Sequence, residues 1–296
     1  MITLAALARV QAAYGDSWSH DISPVAVGDL SIGDDAPVLM GTVNLSRDSS
    51  YRESVATGTS SALRKARIQI AQGAGIVDLG AESSNVGTVR VSSRDQIASL
   101  VPVIEELADE TVVSVETYEP PVVEACLDAG ATILNMTGRE HEDEMLTLAA
   151  KYDAAVVLCF GEADNIREIS DLDLSGDPMP LLVDHFGARL ERARSLGATR
   201  LIIDPGMGFY YGNLVDPIPR ARHQAKVLTQ GFRLRSLGAP ICNAMPHAFD
   251  LFEDEFRTAE GFFAIWAALG STHVLRTHEV SRVKAVLDSL AALAVD

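Results

Sequence analysis

Short apolar runs alternate with helix-like patterns along most of this chain. Continuous apolar runs bounded by turn residues are typical of strands that are buried on both faces of a parallel sheet. Eight such runs occur, at positions 38–43, 76–80, 112–115, 131–134, 154–158, 201–203, 239–242 and 273–276. The pattern therefore predicts eight buried strands.

The segments between these runs predict helices. After the first run, Leu63, Ala66 and Ile70 recur on one helical face, as in an amphipathic helix. Ser92 is typical of the residue that caps the start of a helix, and Pro120 fits the first turn of another, where a missing N–H costs little. Strands and helices thus alternate in the sequence.

Eight strands that alternate with helices predict an α/β fold, and they fit a closed (β/α)8 barrel, or TIM barrel, better than an open doubly wound sheet. We expect residues 37–296 to form this single barrel. Residues 1–36 would form a short N-terminal extension with a small hairpin around residues 32–35. In such barrels the active site is expected where the C-terminal ends of the strands meet.

Charge and composition narrow the class of partner. The chain has 296 residues, of which 47% are hydrophobic, and a formal net charge of −17. This acidity disfavours binding to nucleic acid or to an anionic membrane, because both need a basic patch. Cys126, Cys159 and Cys242 lie far apart in apolar segments, which indicates reduced core thiols in a cytoplasmic protein. No apolar run approaches the length of a membrane-spanning helix.

Residues 201–209 carry the strongest local indication of a binding site. An apolar strand delivers Asp204 to its C-terminal end, and Gly206 and Gly208 then let the backbone turn tightly and approach a flat ligand. The alternative is a turn in which Asp204 only hydrogen-bonds its own loop. This stretch alone does not distinguish the two interpretations.

Polar residues follow most of the predicted strands, and the barrel topology would bring them to one face. They are Asn44 and Asp48 after the first strand, Asp78 and Glu82 after the second, Glu116 after the third, Asn135 after the fourth, Asp204 after the sixth, and Arg276 with His278 after the eighth. A polar residue at the end of a strand is more often a turn or capping residue than a ligand, so none of them alone indicates a site. Their number on one face favours a binding site.

The chemistry of this set indicates two kinds of ligand group. Glu116, Asn135 and Asp204 offer carboxylates and an amide, which suit a planar heterocycle with adjacent donors and acceptors. Arg276 and His278 form a cationic pair that matches a phosphate or pyrophosphate. Asn44, at the end of the first strand, offers its amide oxygen to a Mg²⁺ ion that would bridge such an anion.

Six segments resemble, in the same order, the motifs of dihydropteroate synthases. They are 40–49, similar to the family's Met-Gly-x-x-Asn-x-Thr-Pro-Asp-Ser, 76–83, similar to Asp-x-Gly-Gly-Glu-Ser, and 114–118, 133–135, 204–209 and 276–280. The resemblance runs from about residue 38 to residue 280. It therefore covers nearly the whole chain.

The resemblance implies a pterin-binding TIM barrel and a transferase that joins a pterin methyl pyrophosphate to p-aminobenzoate with Mg²⁺, as part of folate biosynthesis in a cytoplasmic homodimer. By this resemblance Asp204 and Asn135 hold the pterin ring, and Glu116 stands where the family has an Asp with the same role. Arg276, His278 and Asn44 hold the pyrophosphate and the metal ion. Asp48 belongs to a loop that closes over the site, and the substrate site is lined by Gly206, Gly208 and Phe209. Asp48, Glu116 and Asp204 would be the catalytic residues.

Several motifs depart from the family pattern. The family's Ser-Arg-Lys-Ser after strand seven, whose Lys contacts the pterin and whose Ser helps to seat the aminobenzoate carboxylate, is replaced by residues 243–249. Its Ser-Thr-Arg-Pro-Gly is replaced by residues 83–87, and Met136 stands where an Asp is expected. The family residues that this chain lacks are those that contact the aminobenzoate and one side of the pterin.

Two functions remain open after these departures. One is a transferase that condenses a pterin methyl pyrophosphate with an amine acceptor, either p-aminobenzoate or, as the altered loops favour, a different one. The alternative is a pterin- or folate-binding protein without synthase activity, either a regulatory subunit or a methyltetrahydrofolate-type methyltransferase module. His247 either replaces part of the missing Lys or is structural. The apolar segments 261–266 and 283–294 fit either a dimer interface or core packing.

Overall fold

The computed structural model describes residues 2–46, 55–83, 90–161, 176–206 and 216–293. The chain begins with helix α1 (Leu4–Tyr14) and a two-stranded hairpin, β1 (Val25–Val27) with β2 (Leu30–Ile32). The predicted hairpin around residues 32–35 is therefore displaced toward the N-terminus. Gly28 adopts the left-handed conformation at the turn, with φ of +55°, whereas Asp34 pairs with Arg235 of the barrel.

Eight parallel strands form the second sheet. They are β3 (Val38–Asn44), β4 (Ile76–Gly80), β5 (Val112–Glu116), β6 (Ile133–Met136), β7 (Ala155–Cys159), β8 (Leu201–Asp204), β9 (Cys242–Ala244) and β10 (Val274–Thr277). Their spatial order is β8-β7-β6-β5-β4-β3-β10-β9. The two outer strands meet through a bridge between Ile203 and Ile241, so the barrel is nearly closed and the predicted fold is confirmed.

Helices connect the strands as the sequence predicts. They are α2 (Thr59–Ala71), α3 (Ser93–Leu107), α4 (Pro120–Asp128), α5 (Glu142–Lys151), α6 (Met179–Ser195), α7 (Pro217–Gln230), α8 (Phe249–Phe252), α9 (Ala259–Leu269) and α10 (Val280–Ala292). The Ser92 hydroxyl accepts a hydrogen bond from the amide of Asp95, which confirms the predicted cap of α3. None of the described helices combines the length and the apolar character needed to cross a bilayer.

Two strands begin two or more residues later than predicted. The fourth predicted strand, 131–134, starts at Ile133 because the amide of Ala131 still bonds back to Cys126 at the end of α4. The seventh, 239–242, starts at Cys242. Pro240 has no N–H, and the amide of Ile241 donates to the His273 ring at 2.9 Å, so regular pairing is delayed.

The core has two layers. An outer layer fills the space between strands and helices. An inner layer fills the lower half of the barrel with strand residues such as Met40, Ile76 and Ile202, and Val27 and Ile32 of the N-terminal hairpin pack against them. The extension therefore closes the end of the barrel opposite to the strands' C-terminal ends.

Candidate active site

The inward-facing side of the barrel changes from apolar to polar toward the C-terminal ends of its strands. In six strands, the residue two positions after an inner apolar residue is polar. Because side chains alternate along a strand, these polar residues also face the interior. They are Thr42, Asp78, Ser114, Asn135, Asp204 and Arg276, and all are buried.

Asp78 fixes the orientation of Asn135. The Ser114 hydroxyl and the Asn135 amide nitrogen donate to the two oxygens of Asp78, at 2.6 and 3.1 Å. The thiol of Cys159 donates to the Asn135 amide oxygen at 3.6 Å. The sequence placed Asp78 at a strand end, but it lies in the middle of β4, where it supports Asn135 from within the barrel.

Asp204 and Arg276 form a buried ion pair across the barrel. Arg276 Nη2 lies 3.1 Å from Asp204 Oδ2, and the Gly206 amide donates to Asp204 Oδ1 at 2.8 Å. Burial raises the pKa of the Asp204 carboxyl, an effect that Arg276 partly opposes. Asp204 accepts a bond from its own loop, as the turn interpretation predicts, and it also reaches into the barrel; the interpretation of this stretch as a binding site stays a prediction.

This interior retains unused hydrogen-bonding atoms. Thr42 Oγ1 and Arg276 Nη1 are buried and have no hydrogen-bond partner within the described part of the chain, and Asp204 Oδ2, which contacts Arg276 Nη2, accepts no regular hydrogen bond there. A buried polar atom without a partner costs about 1–3 kcal/mol. These atoms therefore provide donors and acceptors for a bound polar molecule.

Asn44, Gly80, Glu116 and Asn135 occupy adjacent register positions at the rim of four neighbouring strands. Gly80 pairs with Asn44 on one side and with Glu116 on the other, and a side chain at Gly80 would stand 3.8 Å from Glu116 Cβ. Glu116 accepts a hydrogen bond from Thr137 at 3.3 Å. The structure thus brings three of the predicted site residues together along one arc.

His278 is directed to a different partner from Arg276. Its Nδ1 atom lies 3.1 Å from Oε1 of Glu260, and His247 Nδ1 lies at the same distance from the same oxygen. Burial lowers the pKa of His278, and Glu260 opposes this. Burial would raise the pKa of Glu260, but the hydrogen bonds from the two histidines lower it well below its ordinary value.

Sequence reasoning missed Glu260, because it considered only polar residues that follow strands. Glu260 is the second residue of α9, an otherwise apolar helix, and its side chain is 1% exposed. A single acidic residue at the start of such a helix is the signal that could have identified it.

Other predicted residues lie outside the described ranges. They are Asp48, Gly208 and Phe209, together with most of the 83–87 loop, and their predicted roles stay predictions. Glu82 is described, and it accepts hydrogen bonds from the Val91 amide and Gln96. Residues 243–249, which stand where the family has Ser-Arg-Lys-Ser, are described and contain neither Lys nor Arg.

Comparison with known proteins identifies the relatives of this chain. The sequence profile of the family described as "Pterin binding enzyme" matches residues 40–245. A dihydropteroate synthase of Streptococcus pyogenes is 32% identical over 176 residues, which are 58% of this chain and 63% of that protein. The match thus spans less than two thirds of this relative's length.

Solved structures share the fold. A dihydropteroate synthase of Xanthomonas albilineans with 4-aminobenzoic acid superposes with a TM-score of 0.74 at 25% identity, covering 90% of this chain and 96% of that one. A Burkholderia cenocepacia dihydropteroate synthase complexed with 7,8-dihydropteroate also gives 0.74, at 23% identity, covering 92% and 96% of the two chains.

Proposed function

We propose that this chain, which belongs to the family of pterin-binding enzymes, binds a reduced pterin in the polar upper half of its barrel and transfers the pterinylmethyl group to an amine. The observation that carries the proposal is the buried Asp204–Arg276 pair beside the oriented amide of Asn135, with unused hydrogen-bonding atoms on both members of the pair. A flat, polar heterocycle uses donors and acceptors of this kind.

The ring would bind between the carboxylate of Asp204 and the amide of Asn135. Asp204 Oδ2 contacts Arg276, but a carboxylate oxygen has a second lone pair, with which it can accept from a ring N–H. Glu116, next to Asn135 at the rim, adds a second carboxylate. Positive charge that develops on the methylene carbon and the ring is stabilised by these two acidic groups.

The leaving pyrophosphate would be held by Arg276, His278 and Asn44. Arg276 Nη1 is a buried donor without a partner in the described ranges. Asn44 ends β3 at the rim and supplies a neutral amide oxygen, which fits Mg²⁺ that takes its other ligands from water and phosphate. When bound, Mg²⁺ neutralises charge on the pyrophosphate.

In this reaction the C–O bond to pyrophosphate breaks, and the electron pair leaves with the pyrophosphate. The acceptor nitrogen forms the new C–N bond and releases a proton to solvent. Because residues 243–249 lack the family's Lys and Ser, we propose an acceptor other than p-aminobenzoate. We also propose, as the sequence predicts, that the protein is a homodimer and that it is located in the cytoplasm.

Calorimetry with a reduced pterin tests this function. The unmodified protein should bind it, and Asp204→Asn should abolish the heat, because the amide replaces a charged acceptor by a group that carries two donors. Asp288→Asn, at an exposed position on α10, is the matched control and should bind normally. Absence of pterin heat from the unmodified protein would refute the proposal.

Turnover assays then separate the transferase from the alternative of a pterin-binding protein without synthase activity. With a pterin methyl pyrophosphate present, release of pyrophosphate that depends on an added amine supports transfer. Rapid dihydropteroate formation from p-aminobenzoate would contradict the proposed change of acceptor. Pterin binding without any amine-dependent release would favour the binding protein.

A further inference from the structure

A cluster of two histidines and one glutamate lies beside the barrel mouth. His247 follows β9, Glu260 begins α9 and His278 follows β10, so three separate segments supply the cluster. One ligand atom from each residue lies within 4.8 Å of the other two. The side chains are 23%, 1% and 16% exposed, respectively.

We infer that His247, Glu260 and His278 bind a divalent transition metal ion of the zinc class. Imidazole nitrogen and carboxylate oxygen are the donors that such ions prefer, and two histidines with one carboxylate form a known catalytic type of zinc site. This ion would be distinct from the Mg²⁺ proposed at Asn44, since Mg²⁺ prefers oxygen ligands.

Two of the three distances within the cluster are close to those of tetrahedral coordination, and the ligand atoms of the two histidines lie within 4.8 Å of each other. Both Nδ1 atoms lie 3.1 Å from Oε1 of Glu260. Ligands about 2.0–2.1 Å from a zinc ion stand roughly 3.3 Å apart along a tetrahedral edge. Small shifts of the side chains therefore suffice to admit the ion between the three atoms.

The carboxylate is held in place for this role. Its other oxygen, Oε2, accepts hydrogen bonds from the backbone amides of His278 and Glu279, at 2.9 and 3.1 Å, and from the Thr277 hydroxyl. These bonds leave Oε1 directed to the two imidazoles. Fixing a ligand through its remaining polar atoms is how proteins orient metal-binding groups.

One member of the cluster, His278, also lines a cavity of about 340 Å³ together with Thr42 and Glu279. With three protein ligands, a tetrahedral ion keeps its fourth position for water or a small anion. None of its ligands is among the groups proposed to hold the pterin ring. His278 is shared with the proposed pyrophosphate site: it would bind the ion through Nδ1, and its Nε2 atom would donate to the pyrophosphate.

Cobalt substitution tests the inference in the full-length, untagged protein. Equilibrium dialysis against Co²⁺, with the metal content and visible spectrum measured, should show one ion per chain and the intense absorption of tetrahedral Co²⁺. His247→Ala and His278→Ala should each lower the affinity by more than the roughly 10- to 100-fold that loss of an outer-shell partner costs. His20→Ala, at an exposed position in the extension, is the control and should leave binding unchanged.

Two results would overturn the inference: no Co²⁺ retained by the folded protein, or retention that survives both cluster substitutions. Circular dichroism of each variant verifies folding, and the partial exposure of His247 makes its substitution the safer of the two. Asp204→Asn should lose pterin binding but keep Co²⁺, so failure of the metal site and failure of the proposed function give different results.

Discussion

At the scale of single residues, Arg276 links the two halves of the proposed site. It pairs with Asp204, which would hold the ring, and its unused Nη1 atom is available to the leaving group. The sequence placed Arg276 with His278 as a cationic pair, whereas in the structure each has an acidic partner of its own, Asp204 and Glu260.

Replacing Arg276 by methionine should weaken pyrophosphate binding. Methionine keeps an unbranched apolar chain but removes a charge-assisted hydrogen bond of about 1.5–3 kcal/mol, so the dissociation constant should rise roughly 10- to 150-fold. Calorimetry with pyrophosphate measures this. Arg192→Met, which removes an exposed pair with Asp143, is the control. An unchanged dissociation constant would exclude Arg276 from the anion site.

Whether a site residue could be predicted depends on whether it follows an apolar run in the sequence. Asn135, Asp204 and Arg276 could be found because each ends an apolar run that predicts a strand. Asp78 was grouped with the strand ends although it is the middle residue of the predicted strand 76–80, and the structure confirms this position within β4. Glu260 was missed because it does not follow a strand; tertiary packing brings the start of α9 against the loop that contains His278.

At the scale of elements, helix α6 carries a partly buried histidine that should make the fold sensitive to acid. His185 packs against the rings of Phe160 and Phe186, and burial lowers its pKa to about 4. In the unfolded chain its pKa is about 6.5. Only the unfolded state therefore takes up the proton between these values, and stability is lost as the pH falls from about 6.5 to about 4.

His185→Gln should remove this contribution. Between pH 7 and pH 5 the unmodified protein should lose up to about 2 kcal/mol more free energy of unfolding than the variant. Urea denaturation at the two pH values measures the difference. The exposed His20→Gln substitution should reproduce the loss of the unmodified protein. An equal loss in the His185 variant would show that His185 does not contribute.

The local sequence pattern predicts that a strand exists but not the residue at which it begins. All eight strands were predicted because each buries an apolar run. The starts of β6 and β9 were misplaced because they depend on which partner each backbone amide chooses. For Ile241 that partner is the ring of His273, thirty-two positions further along the chain.

At the scale of the whole molecule, the barrel divides into a closed apolar half and an open polar half. The hairpin of β1 and β2 completes the apolar half, so the N-terminal extension is part of the core, which composition alone did not indicate. Arg235 ties the extension to the barrel through Asp34 and the carbonyl of His20. Among the described residues the hairpin covers the apolar end, so we expect a ligand to enter from the polar half.

The division places the proposed pterin site and the proposed metal site at the same end. Strand ends supply the first, whereas loops and the start of α9 supply the second. This arrangement is the one expected of TIM barrels, in which catalytic groups lie on the loops that follow the strands. The altered residues 243–249 belong to one of these loops.

A crystal structure of the protein with a bound pterin pyrophosphate analogue tests the central claim most directly. The account predicts the ring in the upper barrel, within hydrogen-bonding distance of both Asn135 and Asp204, with Glu116 beside it and the pyrophosphate near Arg276. A ring bound elsewhere, or bound in the barrel without contact to Asp204, would contradict it.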